Sequence, residues 1–483
     1  MPSQHINTDN CNEISNTYRM KKITWTLAFT ALVLFSSCSH APVKTESSKP
    51  GVSFQDGTFE VIALTPNFNA KRAVLPNGLK LIVVKDASSP TFAYQTWFNV
   101  GSRNEIVGKT GLAHLFEHLM FKGTAHHKDG EFDALLENAG VEGENAFTTN
   151  DHTVYVQELP KSQFDLIVGL ESDRMVNLIV DDNSFKTERE VVQNERRFRK
   201  ENSAEGTIYQ TLFETAFSEG PYHWPVIGYE QDLNTMNAQD ARNFYERYYS
   251  PNRATVIIVG DIDENEAYAK ILKAYGSIPN KNAEDGAITP DSEQTAQRRK
   301  RLSLNVEVEK LWMAYKVPAA NSPDAPVLDA IQGILAEGKN SRLNRALVDT
   351  GIAADSSAGS LGLKDPGLFL IEANMQKGKT ALLAESVIGR ELERLKKNPI
   401  MPDELKRALN VMRFRFYERL ATAHGKANYI GQAETQDGSL EAGLAQEQAL
   451  AKVTPEQIMD VANKYFNTSK LTVVIGVPKK KGK

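Results

Sequence analysis

His114-Leu115-Phe116-Glu117-His118 sets two imidazoles and a carboxylate within five consecutive residues. On an α-helix the i, i+4 spacing brings both ring nitrogens within reach of one metal ion. At about 100° per residue, Leu112, Leu115, Phe116 and Leu119 fall within one arc, with His114, Glu117 and His118 on the opposite side. Such a helix turns its apolar stripe to the core and aims three polar groups at one spot. Glu117, one residue before the second histidine, can then hold a water at the metal. A catalytic zinc also needs a third ligand and one open position. The candidate is Glu195, in Glu188-Arg189-Glu190-Val191-Val192-Gln193-Asn194-Glu195, with 76 residues between it and His118. Glu188 and Glu195 are seven apart, two helical turns on one face. One of them can bind the metal while the other orients a histidine.

Composition narrows the alternatives. Of 483 residues, 41% are apolar and 24% charged, the balance of a globular protein. The net charge of −5 argues against nucleic-acid binding, whose footprint is basic. The two cysteines, Cys11 and Cys38, both lie in the first forty residues, so metal chemistry in the rest falls to His, Asp and Glu. His126, His127, His152 and His223 sit in turns or beside strands and read as surface or satisfied histidines. Glycine-rich phosphate loops and serine-centred nucleophile motifs do not occur.

The amino terminus reads as a leader. From Met20, two lysines precede the mostly apolar Ile23–Phe35 and then Ser36-Ser37-Cys38. Thirteen residues are too few to span a bilayer, which needs about 20. Leu34-Phe35-Ser36-Ser37-Cys38 resembles a bacterial lipoprotein signal, with Phe35 where leucine is usual. That resemblance implies lipidation at Cys38, and Ser39 after it favours outer-membrane sorting. The alternative is an ordinary secretory signal and a periplasmic protein. Residues 1–38 are thus leader and 39–65 a tether.

The body repeats itself. Tyr248–Ile258 and Tyr465–Ile475 close two halves at an offset of 217, each after a helical stretch and each ending in an apolar strand. Strands at Ala73–Leu75, Leu79–Val84 and Thr91–Asn99 come before helices at Gly111–Phe121, Gly130–Asn138, Ser162–Leu178 and Ser184–Lys200. Runs of strands and helices without strict alternation favour α+β. The boundaries expected are 66–278 for the first domain, 279–299 for a linker and 300–483 for the second.

His-x-x-Glu-His followed by Glu-Arg-x-Val-Val and Glu195 resembles the inverted-zincin metallopeptidases of the pitrilysin/insulinase type. Phe121-Lys122-Gly123-Thr124, Asn145-Ala146-Phe147-Thr148 and His223-Trp224-Pro225-Val226-Ile227-Gly228 add to the likeness, which covers most of residues 70–480. It implies two homologous α/β-layered domains facing each other in a clamshell, and a zinc endopeptidase acting on peptides or unfolded polypeptides. One Zn²⁺ per chain would be held by His114, His118 and Glu195. Glu117 would be the general base on a zinc-bound water, and Glu188 would steady the site. Asn145, Ala146 and Phe147 match the edge strand to which a substrate adds.

The second half departs from that pattern. At an offset of 216 or 217 the motif falls on Ala330–Ile334 or Ile331–Leu335, without His or Glu. The family's second half supplies an Arg and, seven residues on, a Tyr that hold the substrate. Here Asp349 follows Arg342 by seven and Ile352 follows Arg345 by seven, with no tyrosine between Tyr315 and Tyr417. Heterodimeric members such as mitochondrial processing peptidase imply a remedy, a dimer in which a zinc-less homologue supplies the pair. The rival reading is a non-catalytic or weakly active scaffold subunit.

Overall fold

A computed structural model describes residues 59–281 and 288–479; the leader, Cys38 and the tether up to residue 58 lie outside the described residues. The first sheet is built from β1 (Glu60–Thr65), β2 (Phe68–Val74), β3 (Lys80–Lys85), β4 (Thr91–Phe98), β5 (Glu142–Thr148), β6 (Thr153–Pro160) and β7 (Ala254–Gly260). The second contains β8 (Arg298–Leu304), β9 (Lys310–Val317), β10 (Ala353–Ser360), β11 (Gly367–Met375) and β12 (Leu471–Pro478). Their orders are β1-β2-β3-β7-β4-β6-β5 and β8-β12-β9-β11-β10. Apart from β1 and β2 these are one topology. In each, the closing strand (β7 or β12) runs parallel to one neighbour (β3 or β8) and antiparallel to the other (β4 or β9). The fold is α+β, two mixed sheets flanked by helices.

Two edge strands lie where the sequence reads as connecting chain. β1 falls inside the expected tether, and β8 begins at Arg298, inside the expected linker. Both are bordered on one side only, so their residues need not be apolar. β8 opens with Arg298-Arg299-Lys300-Arg301, the charge that keeps an edge from pairing with another chain.

The helices that matter here are α1 (Leu112–Leu119), α2 (Asp182–Arg196), α3 (Ala204–Ala216), α4 (Ala325–Leu335), α5 (Pro402–Arg419) and α6 (Ala423–Gln432). One face of the first sheet, with Leu81, Val83, Tyr94, Phe98 and Tyr155, packs on Leu115, Phe116 and Leu119 of α1. Its other face, with Ile82, Val84, Trp97, Val154 and Ile257, is covered from the second half by Phe416 of α5 and Ala427 and Ile430 of α6. The exchange is mutual. From the first half, α3 lays Ile208, Leu212 and Phe213 on Trp312, Ala314, Leu370 and Val474 of the second sheet. Burial on both faces explains why β7 and β12 read as unbroken apolar runs. No helix among the described residues is long and apolar enough to cross a membrane.

The same joint starts both exchanged helices. The hydroxyls of Ser203 and Thr422 accept hydrogen bonds from the backbone N–H of Gly206 and Gly425, at 3.1 and 2.9 Å. A Cβ on Gly206 would stand 2.1 Å from the Arg199 carbonyl oxygen, and one on Gly425 1.9 Å from that of Arg419. Both positions therefore require glycine, and the two joints recur 219 residues apart.

Between the halves, Lys426 of α6 places Nζ 2.9 Å from Asp86 Oδ2 and 4.4 Å from the centre of the Phe68 ring. Both charges are buried, with side chains 2% and 5% exposed. Burial works to raise the Asp86 pKa, but hydrogen bonds from Ser88 and Lys426 hold it below the ordinary carboxylate range. The ionised carboxylate thus contributes stability above that range, lost as pH falls through the lowered pKa. Lys426→Met leaves the carboxylate buried and unpaired, and should lower the free energy of unfolding by about 3–5 kcal/mol, read by urea titration at neutral pH.

Candidate metal centre

α1 begins at Gly111, whose φ of +90° is left-handed and which has no side chain to cap the helix. The Glu105 carboxylate does so from six residues upstream, accepting from Gly111 N–H at 2.9 Å and Ala113 N–H at 2.8 Å. Gly228 closes against this turn, since a Cβ there would lie 2.2 Å from the Thr110 carbonyl oxygen. Trp224, in the same segment, donates its indole N–H to the Ser102 carbonyl at 3.0 Å. The His223–Gly228 segment is thus the seat of the helix carrying the histidines. α2 starts at an Asp181–Ser184 capping box and buries Phe185, Glu188 and Val192.

The polar side of α1 faces α2, so its charges are taken out of water. His114 Nε2 lies 3.7 Å from Glu195 Oε1, and His118 Nε2 lies 3.3 Å from Glu195 Oε2. One ligand atom from each of His114, His118 and Glu195 falls within 4.8 Å of the others. Glu188 takes the other side of the ring: its Oε2 is 3.4 Å from His118 Nδ1, and its Oε1 is 2.8 Å from Lys122 Nζ. The geometry thus separates two acids that spacing left equivalent. Glu195 Oε2 is buried without a hydrogen-bond partner. Two imidazole nitrogens and a carboxylate oxygen form a donor set that suits zinc.

Burial and neighbouring charge set each group apart. Burial pushes His114 down to about 4. Burial would also lower His118, but the Glu188 and Glu195 carboxylates lift it to about 9. Burial would raise Glu195, yet the neighbouring His118, His114 and Arg199 bring it to about 2, fully ionised and ready as a ligand. Burial lifts Glu117 to about 7, against the opposing Thr148 hydroxyl.

That hydroxyl donates to Glu117 Oε2 at 2.5 Å. It comes from the end of β5, the edge of the first sheet, which pairs only with β6. Upstream on β5, Asn145 is exposed and its Oδ1 accepts from the Ala146 N–H at 2.9 Å. Phe147 stands edge-on to Trp97 with ring centres 6.0 Å apart. Asn145, Ala146 and Phe147 therefore line the edge, and Thr148 is the strand residue that touches the candidate base.

Four contacting residues escape the spacing argument. Arg199, four residues after Glu195, sets Nη1 2.7 Å from Glu195 Oε1, an i, i+4 pairing that local spacing could have signalled. Lys122 follows His118 by the same four. Glu105 and Thr148 reach α1 through tertiary packing and carry no local signal. Three further histidines among the described residues are engaged elsewhere. His126 meets Asp173, His223 Nδ1 lies 2.7 Å from the Phe217 carbonyl, and buried His152 lies against Trp97.

Among the described residues, the second half presents no such site. Ala330, Ile331, Ile334 and Leu335 of α4 are wholly buried in its core. Arg342 is committed to Glu404, with Nε and Nη2 each 2.8 Å from a carboxylate oxygen.

A duplicated α+β chain with the His-x-x-Glu-His helix and a distant glutamate in one half has the organisation of an inverted-motif metallopeptidase. Residues 80–229 match the family model "Insulinase (Peptidase family M16)", and residues 235–412 match "Peptidase M16 inactive domain". The zinc protease PqqE of Helicobacter pylori is 32% identical over 84% of this chain and 92% of its own. The crystal structure of a protease from the same organism superposes with a TM-score of 0.80 at 31% identity, covering 85% of this chain and 99% of that one. The first half of the periplasmic protease PqqL from Escherichia coli shares the fold, with a TM-score of 0.70 at 18% identity over 85% and 92% of the two chains. The chain belongs to the M16 insulinase/pitrilysin family of zinc proteases.

Because Glu105 caps α1 from a buried position, Glu105→Ala leaves two buried backbone donors without their partner. Thermal or urea unfolding should show a loss of about 1–3 kcal/mol.

Proposed function

We propose that this chain is an endopeptidase for peptides or unfolded polypeptides, with one Zn²⁺ held by His114, His118 and Glu195 and with Glu117 as general base. The observation that carries this reading is the meeting of three ligand atoms within 4.8 Å beside a buried glutamate on the same helix. Zinc bound there supplies Lewis-acid chemistry to water and to the scissile carbonyl. Thr148 occupies Glu117 Oε2, so Oε1 is the oxygen that takes the proton of the attacking water and passes it to the leaving amine. Burial lifts this carboxylate above the ordinary range, which favours a group that both takes and returns a proton. Glu188 steadies His118 from Nδ1, with Lys122 holding Glu188 in turn.

The substrate adds as a strand along β5 through Asn145, Ala146 and Phe147. The edge position of β5 supports this, as does the contact of its last residue with Glu117. Asn145 covers the Ala146 N–H and gives way when a substrate carbonyl arrives.

A second reading draws on the second half. Arg342 is tied to Glu404 and no tyrosine accompanies it, which supports a dimer whose zinc-less partner supplies an Arg/Tyr pair. On that reading the lone chain is weakly active or a scaffold. The leader-like residues 1–38 support export, as an outer-membrane lipoprotein anchored at Cys38 and facing the periplasm, or as a free periplasmic protein.

Metal analysis and peptide cleavage test the proposal together. Glu117→Gln should retain zinc and lose about 10²–10⁴ in kcat, while His118→Ala should lose the metal. Wild-type cleavage by Glu117→Gln would refute the assignment. Mixing with a zinc-less homologue should raise the rate about 10²–10³-fold if the missing pair acts as an oxyanion donor; an unchanged rate favours the lone chain.

A further inference from the structure

The two histidines sit within α1, but Glu195 stands in the last turn of α2, which ends at Arg196. Beyond it the backbone widens into a π-turn, Arg197–Glu201, before α3 begins. A carboxylate at a helix end is free to turn about its side-chain bonds unless something holds it. Arg199 does so, from within the π-turn, with Nη1 2.7 Å from Glu195 Oε1. That contact engages one oxygen and leaves Oε2, the oxygen without a hydrogen bond, 3.3 Å from His118 Nε2.

The π-turn is itself clamped. Gly206 admits the Arg199 carbonyl, and Thr207 Oγ1 donates to the Lys200 carbonyl at 2.8 Å. Arg196 Nε donates to the Gly228 carbonyl at 3.0 Å, tying the end of α2 to the seat of α1. From there α3 runs onto the second sheet. Glu205 meets Lys310 Nζ at 2.7 Å, and Arg298 Nη1 donates to the Ala216 carbonyl at 2.8 Å.

We propose that Arg199 is the positioning residue of the metal site: it fixes Glu195 as a one-oxygen ligand, and its own place is set through α3 by the half of the chain that lacks the motif. The inference rests on the zinc site proposed above and goes beyond it in assigning a task to Arg199 and to the second half. Two effects oppose each other here. A guanidinium near a dication repels it, while a hydrogen bond to a ligand carboxylate orients it. The Arg199 side chain is 50% exposed, so water screens its charge, whereas the hydrogen bond acts at contact on a carboxylate only 17% exposed. Orientation therefore dominates.

The test is zinc affinity by chelator competition on the full chain, with the unfolding temperature of the metal-free protein measured in parallel. Arg199→Ala should weaken zinc by about 10–100-fold, the usual loss for an outer partner of a metal ligand, without moving the unfolding temperature. Arg199→Lys, which keeps one donor, should recover part of the affinity. Gly206→Ala, which displaces the π-turn from a distance, should also weaken zinc, and should add little on top of Arg199→Ala. Affinity within twofold of wild type in Arg199→Ala, or tighter, overturns the proposal. His118→Ala separates this from failure of the site. If it also leaves affinity unchanged, the ligand assignment is wrong; if it abolishes binding while Arg199→Ala does not, only the role of Arg199 falls.

Discussion

Each sheet of this protein has two apolar faces, and its own half can cover only one of them. Val83 and Tyr94 look toward α1, while Ile82 and Trp97 on the same strands look the other way. That second face must be removed from water, and the other half supplies α6 to do it; α3 returns the same cover to the second sheet. Neither half is a finished structure alone. The exchange demands close contact, hence a glycine at 431, where a Cβ would lie 2.0 Å from the Trp97 ring. The mutual cover also makes sense of a second half that carries no motif yet retains the whole topology.

The metal centre inherits this arrangement. Its candidate third ligand, Glu195, stands a few residues before α3, the helix given to the other sheet. The site is built from charges that would each be costly alone in a buried setting. Every one is matched: Glu188 by His118 and Lys122, Glu195 by the two histidines and Arg199, Glu117 by Thr148, and the start of α1 by Glu105. The result is a set of carboxylates set apart by their surroundings. Glu195 is held at about 2 by the charges around it and Glu117 is lifted to about 7 by burial, although both lie within one small volume.

How much of this could be read in advance depended on distance along the chain. His114, Glu117 and His118 declare themselves because helical spacing places them on one face. Glu188 and Glu195 were legible as a pair on one helix; spacing alone did not separate them, and the family likeness gave Glu195 to the metal and Glu188 to its support. Thr148 reads as part of a strand and carries no mark of its contact with Glu117, since nothing local links residues 31 apart. Edge strands β1 and β8 passed for connecting chain because a strand bordered on one side can be polar. The repeat at Tyr248 and Tyr465 stood out, while the joint at Ser203–Gly206 and Thr422–Gly425 was quieter, resting on two residues in four.

Residue types and short-range periodicity were enough to announce a duplicated α+β chain with metal-ligating chemistry in one copy, because helix geometry converts spacing directly into direction. The contact of Thr148 with Glu117 was a different matter. So was the capping of α1 by a residue six positions outside it, and so was the covering of each sheet by the opposite half. Those depend on where separate elements come to rest against each other. That is settled by the burial of four apolar sheet faces at once, a condition no local stretch of sequence contains.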